Sequence, residues 1–223
     1  MTDQPVPARP AATVVLIRDR PGGCEVLLVR RNAQLSFHGG AWVFPGGRLD
    51  ADDYAPGDDI VTAARRAAVR EAREEAGLVL FPDALVAISR WVTPVQLPKR
   101  FDTWFFAAAG TDAPVAVDGG EIHDHSWMTP TEALAAQRAG RIELPPPTFV
   151  TITTIAPHPT ASAALAALGR DPIEVFEPRL FPIEGGAVTL YAGDAGYDDA
   201  ELERPGVRHR LWMREDGWHY ERG

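Results

Sequence analysis

Residues 70 to 77 read REAREEAG, and three glutamates in that stretch, Glu71, Glu74 and Glu75, stand at i, i+3 and i+4. On a helix this spacing gathers three carboxylates on one face, within a few ångströms of one another. Like charges so placed cost about a few tenths of a kcal/mol per pair. Closeness to the helix C-terminus adds roughly 0.3–1 kcal/mol for each. Arg73 points to a different face from Glu71, and Arg70 reaches Glu74 only in the weaker sequence order. A divalent cation resolves the conflict, because clustered carboxylate oxygens suit Mg²⁺ or Mn²⁺ and bind it together with substrate phosphates. The competing reading is a solvated glutamate face. Against it stand the third glutamate in register, the arginine before it, and the glycine-rich WVFPGGRLD upstream at residues 42 to 50.

These residues need elements to hold them. Residues 12–18 (ATVVLIR) and 25–31 (EVLLVRR) flank the turn-like DRPGG and predict a strand hairpin. AWVF at 41–44 predicts a short strand between loops. The acidic DADDYAPGDD at 50–59 offers Asp58 or Asp59 as a cap for a helix over 60–76, which Gly77 stops. ALVAISRWVT, FDTWFFAAA and EIHDHSWM predict further strands. TPTEALAAQRAG predicts a helix capped by Thr129, with Pro130 in its first turn. PPPTFVTITTIA and TASAALAALG predict additional helix, and GAVTLYAGD and RHRLWMREDGWHYERG an irregular, partly stranded extension. The layout implies an α/β (α+β) domain over residues 10–170, with residues 171–223 as a C-terminal extension packed on it.

Composition narrows the function classes. The 223 residues are 45% hydrophobic and 24% charged, ordinary for a soluble globular chain that can bury its own core. A single cysteine, Cys24, excludes an internal disulfide and fits a reducing, cytoplasmic setting. The opening MTDQPVPARPAA predicts no signal peptide, and no run approaches the ~18 apolar residues of a membrane helix. A net charge of −9 argues against a nucleic-acid backbone binder. The arginines between Trp212, Trp218 and Tyr220 are therefore read as a terminal strand or dimer contact rather than a single-strand binding face.

FPGG followed by REAREEAGL resembles the Nudix hydrolase signature. Gly46 and Gly47 fall on its opening glycines; Arg70, Glu71, Glu74, Glu75, Gly77 and Leu78 fall on its helical half. In the usual spacing an acidic residue comes six positions after the glycine and the arginine eight beyond that. From Gly47 those steps lead to Asp53 and residue 61, so about nine residues are inserted before Arg70. The accessory acid is then Asp50, Asp52 or Asp53, or is absent.

The resemblance implies a Nudix-type α/β/α sandwich with a mixed sheet, and hydrolysis of a nucleoside diphosphate linked to another group. It implies Mg²⁺ or Mn²⁺ on Glu71, Glu74 and Glu75, with Glu121 as a further ligand from downstream. Glu71 or Glu75 is the general base, and Arg70 orients the acidic loop or a ligating glutamate. Gly46, Gly47 and Arg31 are expected at the substrate. Lys99 and Arg100, beside Phe101 and Trp104, could hold a phosphate next to a stacked base, or could be edge-strand charge beside strand core. His123 and His125 share a strand face, as a two-histidine metal site or simply as exposed residues.

VLLVRR, RWVTPVQLPKRFDTWFF and ELPPPTFVTI resemble the branch containing the acyl-coenzyme A diphosphatases. Leu27, Leu28, Arg31 and Gly40 can be placed on its coenzyme A fingerprint, with Gly40 about one residue late. The implied substrate is coenzyme A or an acyl-coenzyme A. ADP-ribose, a dinucleotide, or a catalytically silent nucleotide-binding domain are the alternatives. Analogy also suggests a homodimer.

Overall fold

Regular alternation on both faces of the central strands organises the molecule. A computed structural model describes residues 6–34, 38–169 and 172–223. The first five residues, part of the loop after the first hairpin, and the boundary expected between 170 and 171 lie outside the described residues. β1 (Arg9–Arg20) and β2 (Gly23–Arg31) form the expected antiparallel hairpin, closed where Arg20 pairs with Gly23. β3 (Trp42–Val43) and β7 (Ile122–Met128) pair with β2, and β4 (Gly46–Arg48) pairs with β1. β6 (Phe101–Ala109) runs parallel to β1. β5 (Val86–Val92) lies antiparallel beside β6, and β8 (Glu174–Phe176) adds in parallel at the far edge. The result is an eight-stranded mixed sheet.

Val14 and Leu16 of β1, with Phe106 and Ala108 of β6, pack under α1 (Ile60–Ala76). Val15, Ile17, Phe105 and Ala107 face the other way, toward α2 (Pro130–Arg138), α3 (Pro146–Ile155) and α4 (Ala161–Leu168). Both faces are thus covered by helix, the α/β/α arrangement expected. The sheet-facing stripe of α1 is alanine (Ala64, Ala67, Ala68, Ala72, Ala76), and side chains this small let the helix lie close to the strands. Its ends are set locally. The Asp59 carboxylate accepts the Thr62 N–H at 2.8 Å, and Gly77 turns the chain out at φ 68°. Thr129 caps α2 as expected, in a reciprocal box with Glu132. Among the described residues no helix is long and apolar enough to cross a membrane.

The C-terminal segment is more regular than its sequence suggested. β9 (Arg179–Ile183), β10 (Gly186–Leu190), β11 (His209–Arg214) and β12 (Gly217–Arg222) form a separate four-stranded antiparallel sheet. Aromatic contacts join it to the main core. Trp91 stacks on Phe176 at 3.8 Å and meets Tyr191 edge-on at 5.6 Å, while Trp218 meets Phe149 at 5.3 Å. Of the interleaved residues, Arg210 and Arg214 lie over the Trp212 ring at 5.6 and 4.7 Å, and both segments are strands, as the terminal-strand reading expected.

A buried ion pair staples the loop between β10 and β11. The Arg210 guanidinium donates to Asp194 at 2.6 and 2.8 Å, and the same carboxylate accepts the Gly196 and His209 N–H groups. Burial alone would raise the Asp194 pKa, but Arg210 and the two amides hold it down to about 2. Its contribution to stability is therefore present above the ordinary carboxylate range and lost as pH falls toward 2. Asp194→Ala leaves the Arg210 charge buried and unpaired, and should destabilise the protein by about 3–5 kcal/mol in denaturant unfolding at pH 7. A loss below about 1 kcal/mol would show that the pair holds nothing in place.

Candidate active site

Pairing of β4 with β1 sets Gly46 opposite Thr13 and Gly47 opposite Ala12, beneath the last turns of α1. Both glycines are required there by close approach. A Cβ on Gly47 would lie 2.3 Å from Oε1 of Glu71, and one on Gly46 would lie 2.4 Å from the Ala12 carbonyl oxygen. The Gly46 N–H donates to Glu75 Oε2 at 2.9 Å. Both residues border the cleft, where substrate contact was expected of them, and they also seat carboxylates: one amide is spent on Glu75, and the missing side chain of the other makes room for Glu71.

The three glutamates differ in environment. Glu75 is 5% exposed, and its pKa is pushed up to about 8. Burial is the main cause, with Glu71 and Glu121 adding to it, while the Gly46 N–H and Arg31 oppose it. The Glu71 pKa is also raised by burial, against the pull of Arg70. Glu74 is half exposed.

Arg70 carries the local counter-charge. Its guanidinium donates to Asp53 at 2.9 and 3.2 Å, to Glu71 at 2.9 Å, to Glu74 at 3.0 Å and to the Arg48 carbonyl at 2.9 Å. The bond to Asp53, before all else, holds Arg70 firmly protonated. Every direction of its fork is engaged, so Arg70 positions carboxylates and is not a group free to meet a reacting atom.

Of the three aspartates weighed for the accessory acid, Asp53 alone is buried, at 4% exposed. Six residues after Gly47, it accepts the Asp50 N–H at 2.8 Å as well as the Arg70 fork. Asp50 reaches Arg70 only at 3.7 Å, and Asp52 is exposed. The inserted residues therefore follow Asp53, in a loop closed by the Arg66–Asp58 ion pair.

Glu121 arrives from a turn built to present it. Asp118 accepts the N–H groups of Glu121 and Ile122, and Asn32 binds the Glu121 and Gly120 carbonyls at 2.7 and 2.9 Å. Its carboxylate stands 3.9 Å from Arg31 and is near enough to raise the pKa of both Glu71 and Glu75. Arg31 is mostly buried, and its Nε has no hydrogen-bond partner.

Arg31, Lys99, Glu71, Glu74, Glu75 and Glu121 line one cleft of about 900 Å³. Arg100 does not. Its guanidinium donates to the Thr93 and Val6 carbonyls, so the expected substrate contact gives way to holding the chain beside β6. Phe105 and Phe106 are core, and Phe101 borders the cleft. His123 and His125 lie outside it, on β7. Leu27 and Leu28 are fully buried on opposite sheet faces, so of the four fingerprint residues Arg31 is the one that faces the cleft. Trp91, Tyr191 and Trp218 also border it; of these the sequence had marked Trp218 alone, and as a terminal-strand or dimer-contact residue.

An all-oxygen donor set from Glu71, Glu74, Glu75 and Glu121 suits a hard divalent cation. Among the described residues no three such side chains already converge on one point, since Arg70 bridges Glu71 and Glu74 while Glu75 is bonded to Gly46.

A NUDIX domain model matches residues 7–146. The chain is similar to a protein described as putative nudix hydrolase 7 of Caenorhabditis elegans, 27% identical over 188 residues, covering 66% of this chain and 60% of that one. It is also 32% identical over 128 residues to the acyl-coenzyme A diphosphatase NUDT19 of Xenopus laevis, covering 53% of this chain and 34% of that protein. The chain thus spans about a third to three fifths of the length of these relatives. A crystal structure of a NUDIX hydrolase from Alicyclobacillus acidocaldarius superposes with a TM-score of 0.66 at 27% identity, covering 75% of this chain and 99% of that one.

Burial of Glu75 sets a pH dependence. Its folded pKa lies above the ordinary value, so its contribution to stability is full below about pH 4.5 and is lost as pH rises through about 8. In chelator, the melting temperature should fall between pH 6 and 9 by on the order of 5 °C more in the wild type than in Glu75→Gln. Parallel curves for the two proteins would mean that Glu75 is not a buried charge.

Proposed function

The chain belongs to the Nudix family, and from that premise we propose that it hydrolyses a nucleoside diphosphate linked to another group, with coenzyme A or an acyl-coenzyme A as substrate. The observation that carries this reading is the seating of Glu71 and Glu75 against the Gly47–Gly46 edge, with Glu74 and Glu121 open to the same cleft. Similarity to acyl-coenzyme A diphosphatases supports the choice of substrate.

A divalent cation, Mg²⁺ or Mn²⁺, would be held by Glu71, Glu74, Glu75 and Glu121, and supplies Lewis-acid polarisation of the diphosphate and acidification of water. Glu71 and Glu75, fixed by backbone geometry, are the candidates for taking the proton from the attacking water. Arg31 and Lys99, which line the cleft beside the glutamates, meet the diphosphate oxygens. Arg70 and Asp53 keep the glutamates in register. The single buried thiol, Cys24, accords with work in the cytoplasm.

Incubation with coenzyme A, acetyl-coenzyme A, ADP-ribose and NADH in Mg²⁺ or Mn²⁺ should release 3′,5′-ADP and a phosphopantetheine from the first two. Turnover of ADP-ribose or NADH alone would replace the substrate, and no turnover of any would overturn the enzyme reading. Gly47→Ala should lower kcat on the order of 100-fold by displacing Glu71, with the melting temperature nearly unchanged because the atoms nearest the added methyl are the movable end of that side chain. Full activity in this variant would contradict the seating of Glu71.

A further inference from the structure

The cleft carries opposite charge at its two ends. Glu71, Glu74, Glu75 and Glu121 gather where β4 passes under α1, and Arg9 and Arg48 border the same space farther along. Strand register decides which way these two arginines point. Arg48 of β4 stands opposite Ala11 of β1, and Arg9 stands opposite Phe101 of β6. Residues directly opposite in a ladder share a face, as do alternate residues along a strand. Arg9 and Ala11 therefore lie on the face of β1 that carries Val15 and Ile17, and Phe101 on the face of β6 that carries Phe105. Arg48 joins them there, while Leu49 next to it packs on the α1 side. Diagonal neighbours in such a ladder stand about 7–8 Å apart, so both long side chains reach one shared anion.

Neither guanidinium has an anion of its own. Both residues are exposed, and among the described residues neither side chain forms a hydrogen bond or an ion pair. Arg48 is engaged through its carbonyl alone, which accepts from Arg70. Asp50, the nearest acid along the chain, reaches toward Arg70 at 3.7 Å. Distance along the strands sets the size of the ligand. Gly46, bonded to Glu75, lies two residues before Arg48, and Thr13, opposite Gly46, lies four residues after Arg9. At about 3.3 Å per residue these separations are roughly 7 and 13 Å. An anion between the arginines then stands about one sugar ring away from a diphosphate at the glutamates.

We propose that Arg9 and Arg48 form a subsite for a phosphate monoester on the ribose of the substrate's nucleotide half, and that this second phosphate selects the substrate. The inference deepens the diphosphatase reading and rests on it only for the position of the diphosphate. A monoester carries close to two negative charges at pH 7, and guanidinium forks meet its oxygens directly, without a bridging cation. Phosphate on the 2′ or the 3′ oxygen satisfies the same chemistry, and a coenzyme A substrate would present the 3′ one.

The test compares substrates that differ only in this phosphate: coenzyme A with dephospho-coenzyme A for the 3′ position, and NADPH with NADH for the 2′. Each is assayed in Mg²⁺ with the wild type and with Arg9→Gln combined with Arg48→Gln. The wild type should favour coenzyme A over dephospho-coenzyme A by about tenfold in kcat/KM, through KM, and the variant by less than about twofold. Added salt should erode the wild-type preference, a result that stands even if the variant melts early. A response in the NADPH–NADH pair alone keeps the subsite and replaces the substrate. No wild-type preference in either pair, a preference that salt leaves intact, or an equal preference in a folded variant would overturn the proposal.

Should none of the four be hydrolysed, the diphosphatase reading falls and calorimetry tests the subsite by itself. In Mn²⁺, 3′,5′-ADP or 2′,5′-ADP should bind the wild type about tenfold more tightly than AMP, and the variant no more tightly than AMP. Equal binding of all three nucleotides to the wild type, or binding of none, would overturn the subsite as well.

Discussion

Burial of carboxylates at the end of a helix is the constraint on which the rest of this structure depends. Glu71 and Glu75 lose water where the helix dipole already disfavours negative charge, and each leans on a different backbone device. Glu75 takes the Gly46 amide, and Glu71 occupies the space that Gly47 leaves empty. Both devices require β4 to lie flat against β1 under α1, and the alanine stripe of α1 lets the helix come close enough. A larger residue at Ala68 or Ala72 would lift the carboxylates off the strand edge.

Arg70 makes the cluster tolerable before any ligand binds. It shares one guanidinium among Asp53, Glu71 and Glu74, and Asp53 fixes it from the far side. The network holds more acids than bases, and Glu75 stays outside the reach of Arg70. That imbalance leaves an affinity for added positive charge. The same imbalance explains why clustered acids persist here without being a stabilising feature of the fold.

The parts of the fold legible in the sequence were those specified by local chemistry. α1 has a cap, a stop and consistent helix formers, and the β1–β2 hairpin has its Pro-Gly turn. The glutamate face followed from the spacing of Glu71, Glu74 and Glu75. Asp53 stayed ambiguous because an insertion can fall on either side of an acid, and only burial against Arg70 distinguishes it from Asp50 and Asp52. Arg100 and Lys99 are adjacent in sequence and similar in charge, yet main-chain acceptors at Thr93 and Val6 hold Arg100 while Lys99 borders the cleft. The second sheet was read as partly irregular because its strands are short and Pro- or Gly-bounded. Its order comes from distant contacts such as Phe149 on Trp218 and Arg210 on Asp194, which no local pattern announces.

The central claim is that the carboxylates of α1 form a divalent-cation site, and direct titration tests it. Mn²⁺ would be added to the metal-free wild type and to Glu71→Gln at pH 7.5, with free Mn²⁺ read by electron paramagnetic resonance. Loss of the free-ion signal should saturate for the wild type and weaken by more than about tenfold in the variant, as expected when one charged ligand is removed from a small set. Equal Mn²⁺ uptake by the two proteins, or none by the wild type, would contradict the account and return Glu71, Glu74 and Glu75 to a merely structural role.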